Sequence, residues 1–111
     1  MKKINILKSN DDFNRIIKNY KPFKYKDYVL YVEWIKEGSY KFGFSVGKKI
    51  GNAVTRNKYK RRLKSIIDKK AYQKSFNCII IVGKGILDRS YKEMEENLFK
   101  ALEMIKITKE K

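Results

Sequence analysis

The run Asn77-Cys78-Ile79-Ile80-Ile81-Val82 constrains the fold of this chain more than any other segment. It is apolar without alternation, the pattern of a central strand covered on both faces, so the remaining residues have to supply both layers of cover. Ser9 to Tyr20 reads as one covering helix. Ser9 or Asn10 can cap it, Asp11 and Asp12 suit its N-terminal dipole, Phe13, Ile16, Ile17 and Tyr20 recur at helical spacing, and Pro22 ends it. Ser90-Tyr91-Lys92-Glu93 is a capping box that opens a last helix bearing Tyr91, Met94, Leu98, Ala101, Leu102 and Ile105, with a Lys-rich end from Lys106 to Lys111 expected to fray.

Between these helices, Asp27 to Ile35 is β-branched and aromatic, and Glu37-Gly38-Ser39 turns it into a second strand, Tyr40 to Val46, so an antiparallel hairpin is expected. The loop Gly47 to Asn52 leads into a helix from Ala53 or Val54 to Ala71, with Tyr59, Leu63, Ile66 and Ile67 on one stripe. The order is α-β-β-α-β-α: an α+β sandwich of one domain over residues 1–111, with three strands, or four if the early strand breaks in two. No repeat, linker or low-complexity segment divides it.

Composition narrows the chemistry. A chain of 111 residues with 42% hydrophobic residues and 15 aromatics can bury one core. It has no histidine and one cysteine, Cys78, which excludes Ser/His/Asp and Cys/His nucleophilic designs, an internal disulfide and a Cys/His zinc site. Cys78, inside the apolar strand, reads as a small buried hydrophobe. The N-terminal apolar stretch is interrupted by Asn5 and Lys8, so neither a signal peptide nor a membrane span fits, and the cytoplasm is the expected compartment. The net charge of +16 points to a polyanionic partner.

That charge is concentrated. Lys48 to Lys70 holds ten basic residues and one acid, Asp68. Helical projection puts Asn57, Lys60, Arg61 and Lys64 together away from the apolar stripe, with Arg56 at their edge. Three of the five arginines, Arg56, Arg61 and Arg62, fall within seven residues of a chain that otherwise uses lysine. The planar guanidinium grips phosphate or a base edge with two prongs, and the glycine loop before the helix lets backbone N–H groups face anions as well.

The stretch Phe44-Ser45-Val46-Gly47-Lys48-Lys49-Ile50-Gly51-Asn52-Ala53-Val54-Thr55-Arg56-Asn57-Lys58-Tyr59-Lys60-Arg61-Arg62-Leu63-Lys64 resembles the signature of the bacterial ribonuclease P protein subunit: Lys-Lys, Gly-x-Ala-Val, then Arg-Asn-x-x-Lys-Arg, all in register. The likeness extends through Asp12-Phe13 and Val29-Leu30-Tyr31 over nearly the whole chain. Lys64 departs from it, standing where the family more often has arginine; the charge is kept and the two-pronged geometry is not. The resemblance implies a protein that joins a catalytic RNA and helps remove the 5′ leader of precursor tRNA. The RNA would carry the active site and hold the Mg²⁺, with no organic cofactor, no catalytic residue on this chain, no membrane contact and no obligate protein partner. It implies a catalytic-RNA surface of Lys48, Lys49, Arg56, Asn57, Lys60, Arg61 and Lys64. It also implies a leader cleft between the first helix and the sheet, at Phe13 and Tyr31 with Ile17, Phe42 and Phe44 as neighbours, and a left-handed β-α-β crossover through the basic helix. Aromatics on a sheet stack on unpaired bases with little sequence preference, which suits a leader of variable sequence.

Other candidates carry less. Gly43 to Lys49 has one residue too few for a phosphate loop and Lys49 where Ser or Thr would meet magnesium. Asp11, Asp12, Glu93, Glu95 and Glu96 read as charges at helix N-termini. A ribosome-associated or other structured-RNA-binding protein would use the same basic helix without a role in cleavage. A membrane-surface protein would need exposed apolar residues beside the lysines, where this helix commits its apolar stripe to the core.

Overall fold

In the computed structural model, which describes residues 1–109, the 77–82 run lies inside a four-stranded sheet of order β1-β2-β4-β3. The strands are β1 (Phe23–Tyr25), β2 (Tyr28–Trp34), β3 (Lys41–Ser45) and β4 (Phe76–Val82), and the helices are α1 (Asn10–Asn19), α2 (Ala53–Ile67) and α3 (Tyr91–Met104). β4 pairs antiparallel with β2 and parallel with β3, and α2 makes the crossover that the parallel pair requires. The fourth strand comes from Phe23–Tyr25, which folds back on β2 ahead of the expected strand rather than by a break within it.

The expected hairpin between β2 and β3 does not form, because β4 lies between them. β4 is the strand that is apolar on both faces, so it takes a place with a neighbour on each side, whereas β2 carries Glu33 and β3 carries Lys41 and Ser45 on one face. Gly38, at φ 105°, supplies the foreseen turn, but the turn carries the chain past the start of β4. There Ile35 N–H donates to the Ser75 carbonyl at 2.9 Å, and Ser75 Oγ donates to the Gly38 carbonyl at 2.8 Å.

The two faces of the sheet are covered unequally. Tyr28, Leu30, Phe42, Phe76, Cys78, Ile80 and Val82 pack beneath α2 and α3 against Leu63, Ile66, Ile67, Met94, Leu98 and Leu102. On the other face, α1 is held by a buried cluster of Leu7, Ile16 and Ile79, with Phe13, Tyr31 and Ile81 half-buried around it. At about 1.5–3 kcal/mol for each fully buried aliphatic side chain, the α1 layer is the weaker attachment.

Helix ends follow the sequence signals. Ser9 Oγ accepts from Asp12 N–H, Asn52 Oδ1 accepts from Thr55 N–H at 3.0 Å, and the Ser90/Glu93 capping box closes in both directions. α2 stops at Ile67, short of the expected Ala71, where the Tyr72 hydroxyl donates to the Ile67 carbonyl at 2.6 Å and turns the chain toward β4. The segment after α3 does not fray at first: Ile107 is buried, Gln73 N–H donates to its carbonyl, and Lys109 N–H donates to the Ala71 carbonyl at 2.8 Å. Glu110 and Lys111 of that segment lie outside the described residues. Among the described residues no helix is long and apolar enough to cross a membrane.

Candidate RNA interface

The basic surface is built on a tight turn. Ile50 N–H donates to the Gly47 carbonyl and Gly51 N–H to that of Lys48, a 3-10 turn that buries Ile50 and leaves Lys48 and Lys49 exposed. Gly51 has φ 153°, and a Cβ there would sit 3.0 Å from the Thr55 side chain, so glycine is needed for Asn52 to cap α2 and start it beside the two lysines. Asn57 and Arg61 are exposed on α2, while Lys60 and Lys64 are half-buried along one flank. Arg56 is half-buried in the first turn, and its Nε is out of water with no acceptor among the described residues. On the other flank, the Arg62 guanidinium lies 5.4 Å from the Tyr59 ring.

Acids of α3 neutralise the far end of this helix. Lys69 Nζ is 2.9 Å from Glu95 and Lys70 Nζ is 3.4 Å from Glu103. The charge left uncompensated is therefore that of α2 itself, from Arg56 to Lys64, and of the turn before it.

The α1 face of the sheet presents three rows in register. Lys24, Val29, Ile81 and Ser45 form the first, Tyr31, Ile79 and Gly43 the second, and Glu33, Asn77 and Lys41 the third. α1 seats Ile16 over the middle row, and at 100° per residue Phe13 and Ile17 fall on one side of Ile16, with Asp12 and Arg15 on the other. The first row is left without a helix above it: Val29, Ile81 and Ser45 are half-buried, floored by strands and walled by Phe13, Ile17 and Tyr31. Phe13 can lie this low because Gly43 is beneath it; a Cβ there would come 2.8 Å from Phe13 Cε2 and 3.3 Å from Leu7 Cδ2. At the β3 edge a groove of about 380 Å³ lined by Phe13, Lys8, Asn10, Phe44, Ser45 and Lys60 joins this cleft to α2.

Phe13, Ile17 and Tyr31 are thus together, and Phe44 reaches the groove at the edge of β3. Phe42 is not part of the cleft. Strand alternation points it to the opposite face, where it is fully buried and packs edge-on against Tyr72 and Phe76 at centroid distances of 5.0 and 5.5 Å. Its neighbour Gly43 is the residue of that pair that serves the cleft.

Sequence reasoning missed the polar cluster on the far side of α1. Arg15 Nη2 donates to Glu33 Oε1 at 2.7 Å and Nε to Oε2 at 3.3 Å, while Nη1 donates to Asp12 Oδ1 at 2.6 Å. Asn77 Nδ2 donates to Glu33 Oε1 at 2.9 Å, leaving its own Oδ1 buried without a partner. The Arg15 guanidinium holds the Glu33 carboxyl below the usual carboxylate range, and Asn77 adds to the effect. A signal was present: Glu33 interrupts the apolar strand beginning at Tyr28, opposite Asn77 of β4.

Among the described residues no group of three or more His, Cys, Asp or Glu side chains could hold a metal ion.

The family model of ribonuclease P matches residues 1–106. The ribonuclease P protein component of Streptococcus pyogenes serotype M12 (strain MGAS2096) is 37% identical over 108 residues, covering 96% of this chain and 91% of its own length. That of Streptococcus pneumoniae (strain CGSP14) is 38% identical over 112 residues, covering 99% of this chain and 91% of its own. Among solved structures, the Staphylococcus aureus RNase P protein superposes with a TM-score of 0.84 at 28% identity, over 96% of this chain and all of that one. The Thermotoga maritima RNase P protein shares the fold, with a TM-score of 0.81 at 24% identity over 91% of this chain and 97% of that one. With the signature at Lys48 to Lys64 displayed on one cationic surface, the chain belongs to the ribonuclease P protein family, the protein component of a ribonucleoprotein endoribonuclease.

Proposed function

We propose that the whole chain acts as one RNA-binding domain with two surfaces: α2 and its preceding turn hold the catalytic RNA, and the cleft beside α1 holds the single-stranded 5′ leader of precursor tRNA. Lys48, Lys49, Asn57, Lys60, Arg61 and Lys64 meet phosphates of the folded RNA, with Arg56 beside them in the first turn of α2. Phe13, Tyr31 and Ile17 give the leader apolar and aromatic surface for its unstacked bases, while Lys60 and Lys8 lie along the groove where its phosphates would leave the cleft. Mg²⁺ belongs with the RNA in this scheme, and endonucleolytic removal of the leader is promoted by holding both RNAs at once.

The observation that carries the proposal is the half-open sheet face beside α1, connected by the Lys60 groove to the signature helix. One extended strand could therefore touch both surfaces. The test is cleavage of a precursor tRNA by a bacterial ribonuclease P RNA at low Mg²⁺, with and without this protein. Restored cleavage at the mature 5′ end supports the proposal; binding without stimulation at stoichiometric dose refutes it.

A further inference from the structure

The Arg15–Glu33–Asn77 cluster lies on the side of α1 away from the cleft, touches neither cleft nor basic surface, and spends polar groups in a layer that needs apolar ones. Glu33 is 8% exposed and Asn77 7%, yet the pair leaves Asn77 Oδ1 unsatisfied. Such an arrangement persists where something other than burial depends on it. α1 rests on the sheet through Ile16 and the half-buried Phe13, a narrow seat about which a helix can roll. Arg15 lies on the opposite side of Ile16 from Ile17, so its two-pronged hold on β2 fixes that roll and with it the height of Phe13 and Ile17 above the first row of the sheet.

We propose that Glu33, through Arg15 and with Asn77 as its support, is a positioning residue that sets the width of the leader cleft. The proposal rests on the leader reading of that cleft. Asp12 shares the guanidinium from within α1, so it orients Arg15 before the sheet is reached. The third row of the sheet thereby acts on the first without touching RNA.

The test uses the holoenzyme and the affinity ratio of precursor to mature tRNA, with Arg15→Met, Glu33→Gln, their combination, and Phe13→Ala as a probe of the cleft itself. Arg15 is itself exposed, but Arg15→Met leaves the buried Glu33 carboxylate without its cation, so the double variant, which removes both charges, and a urea midpoint for each variant separate loss of folding from loss of positioning. Arg15→Met and Glu33→Gln are each expected to lower the ratio by roughly three- to tenfold, the range for a remote positioning contact. The combination is expected to lose no more than either alone, affinity for the catalytic RNA to stay within about twofold, and the effect to vanish on a precursor with a one-nucleotide leader. An unchanged ratio in both single variants while Phe13→Ala loses it overturns the positioning role and leaves the cleft reading standing. An unchanged ratio in Phe13→Ala overturns the cleft reading, and the role of Glu33 with it.

Discussion

Gly43→Ala isolates the seat of Phe13, because it adds one methyl group to the floor of the cleft and changes no charge. Gly43 has an ordinary extended backbone, so the alanine by itself would stabilise the strand by about 0.4–1 kcal/mol through a less flexible unfolded chain. Against this, the new Cβ would lie 2.8 Å from Phe13 Cε2 and 3.3 Å from Leu7 Cδ2, an overpacking that costs about 1–3 kcal/mol. Phe13 Cζ would lie closer still, and the half-buried ring has to tip outward, so the cost falls near the middle of that range, about 2 kcal/mol. The net expectation is a loss of about 1 kcal/mol, a fall of about 4–8 °C in Tm for a domain of this size. The effect on the cleft is larger in proportion. A displaced ring forfeits stacking of about 1–3 kcal/mol, so the preference for precursor over mature tRNA falls by roughly 5- to 150-fold. Urea unfolding and paired affinity measurements read the two effects, with Gly47→Ala as the stability control because open space surrounds its Cβ position. Full stability together with an undiminished precursor preference in Gly43→Ala would refute the placement of Phe13 on a bare glycine. Phe13→Leu in the same background shortens the ring to a branched chain and is expected to restore stability without restoring the preference.

Arg61→Ala removes an exposed arginine of α2 and is expected to lower the salt slope of catalytic-RNA binding by about one unit; an unchanged slope places Arg61 off the RNA. With about six phosphates neutralised, the unaltered protein should lose roughly 10³-fold in affinity between 50 and 200 mM salt. Phe42→Ala should cost about 3–5 kcal/mol of stability, read by urea denaturation, while folded protein keeps its precursor preference; a selective loss of that preference would return Phe42 to the cleft. The Glu33 carboxyl titrates lower in the folded chain than its usual value of 4.5, so its stabilising contribution is complete above about pH 4.5 and is lost as pH falls through the folded-state value. Glu33→Gln should therefore flatten the acid limb of stability against pH, measured by urea midpoints from pH 6 to 3, and an identical limb would show that the Arg15 contact contributes nothing in solution.

What could be read from the chain depended on whether the signal was local. The capping box at Ser90, the start of α2 at Ala53 and the buried stripe Tyr59, Leu63, Ile66 and Ile67 are decided within a few residues, and each is found as read. Pairing of β2 with β3 was inferred from adjacency and a glycine turn, and failed because strand order is a competition for the centre. Cys78-Ile79-Ile80-Ile81 has an apolar side chain for either face, so β4 gains from two neighbours where β3 with Lys41 and Ser45 does not. The same alternation decided Phe42 against the cleft and Gly43 for it, a parity that follows only once β3 is registered on β4. The Arg15–Glu33 contact spans β2 and α1 across 18 residues, and no periodicity within either element announces it.

The distribution of side chains over the two faces bears on how a protein of this kind can promote cleavage. Its basic surface has lysines and arginines on a helix whose buried stripe fixes their direction, so a folded RNA bound there would meet a preset pattern of charge. Its cleft is the less firmly built side, held by three buried aliphatic residues and one polar clamp, so it can accept bases of differing size. Neither surface need bind its RNA tightly alone. On the proposed reading, a leader in the cleft would be presented to a catalytic RNA docked on α2 at the effective concentration of one complex, with the groove at Lys60 keeping the path between them short. A loosened clamp at Glu33 and a raised floor at Gly43 would then act alike, leaving the first docking step intact and weakening the second, so precursor preference, rather than affinity for the catalytic RNA, is the quantity expected to separate the two surfaces.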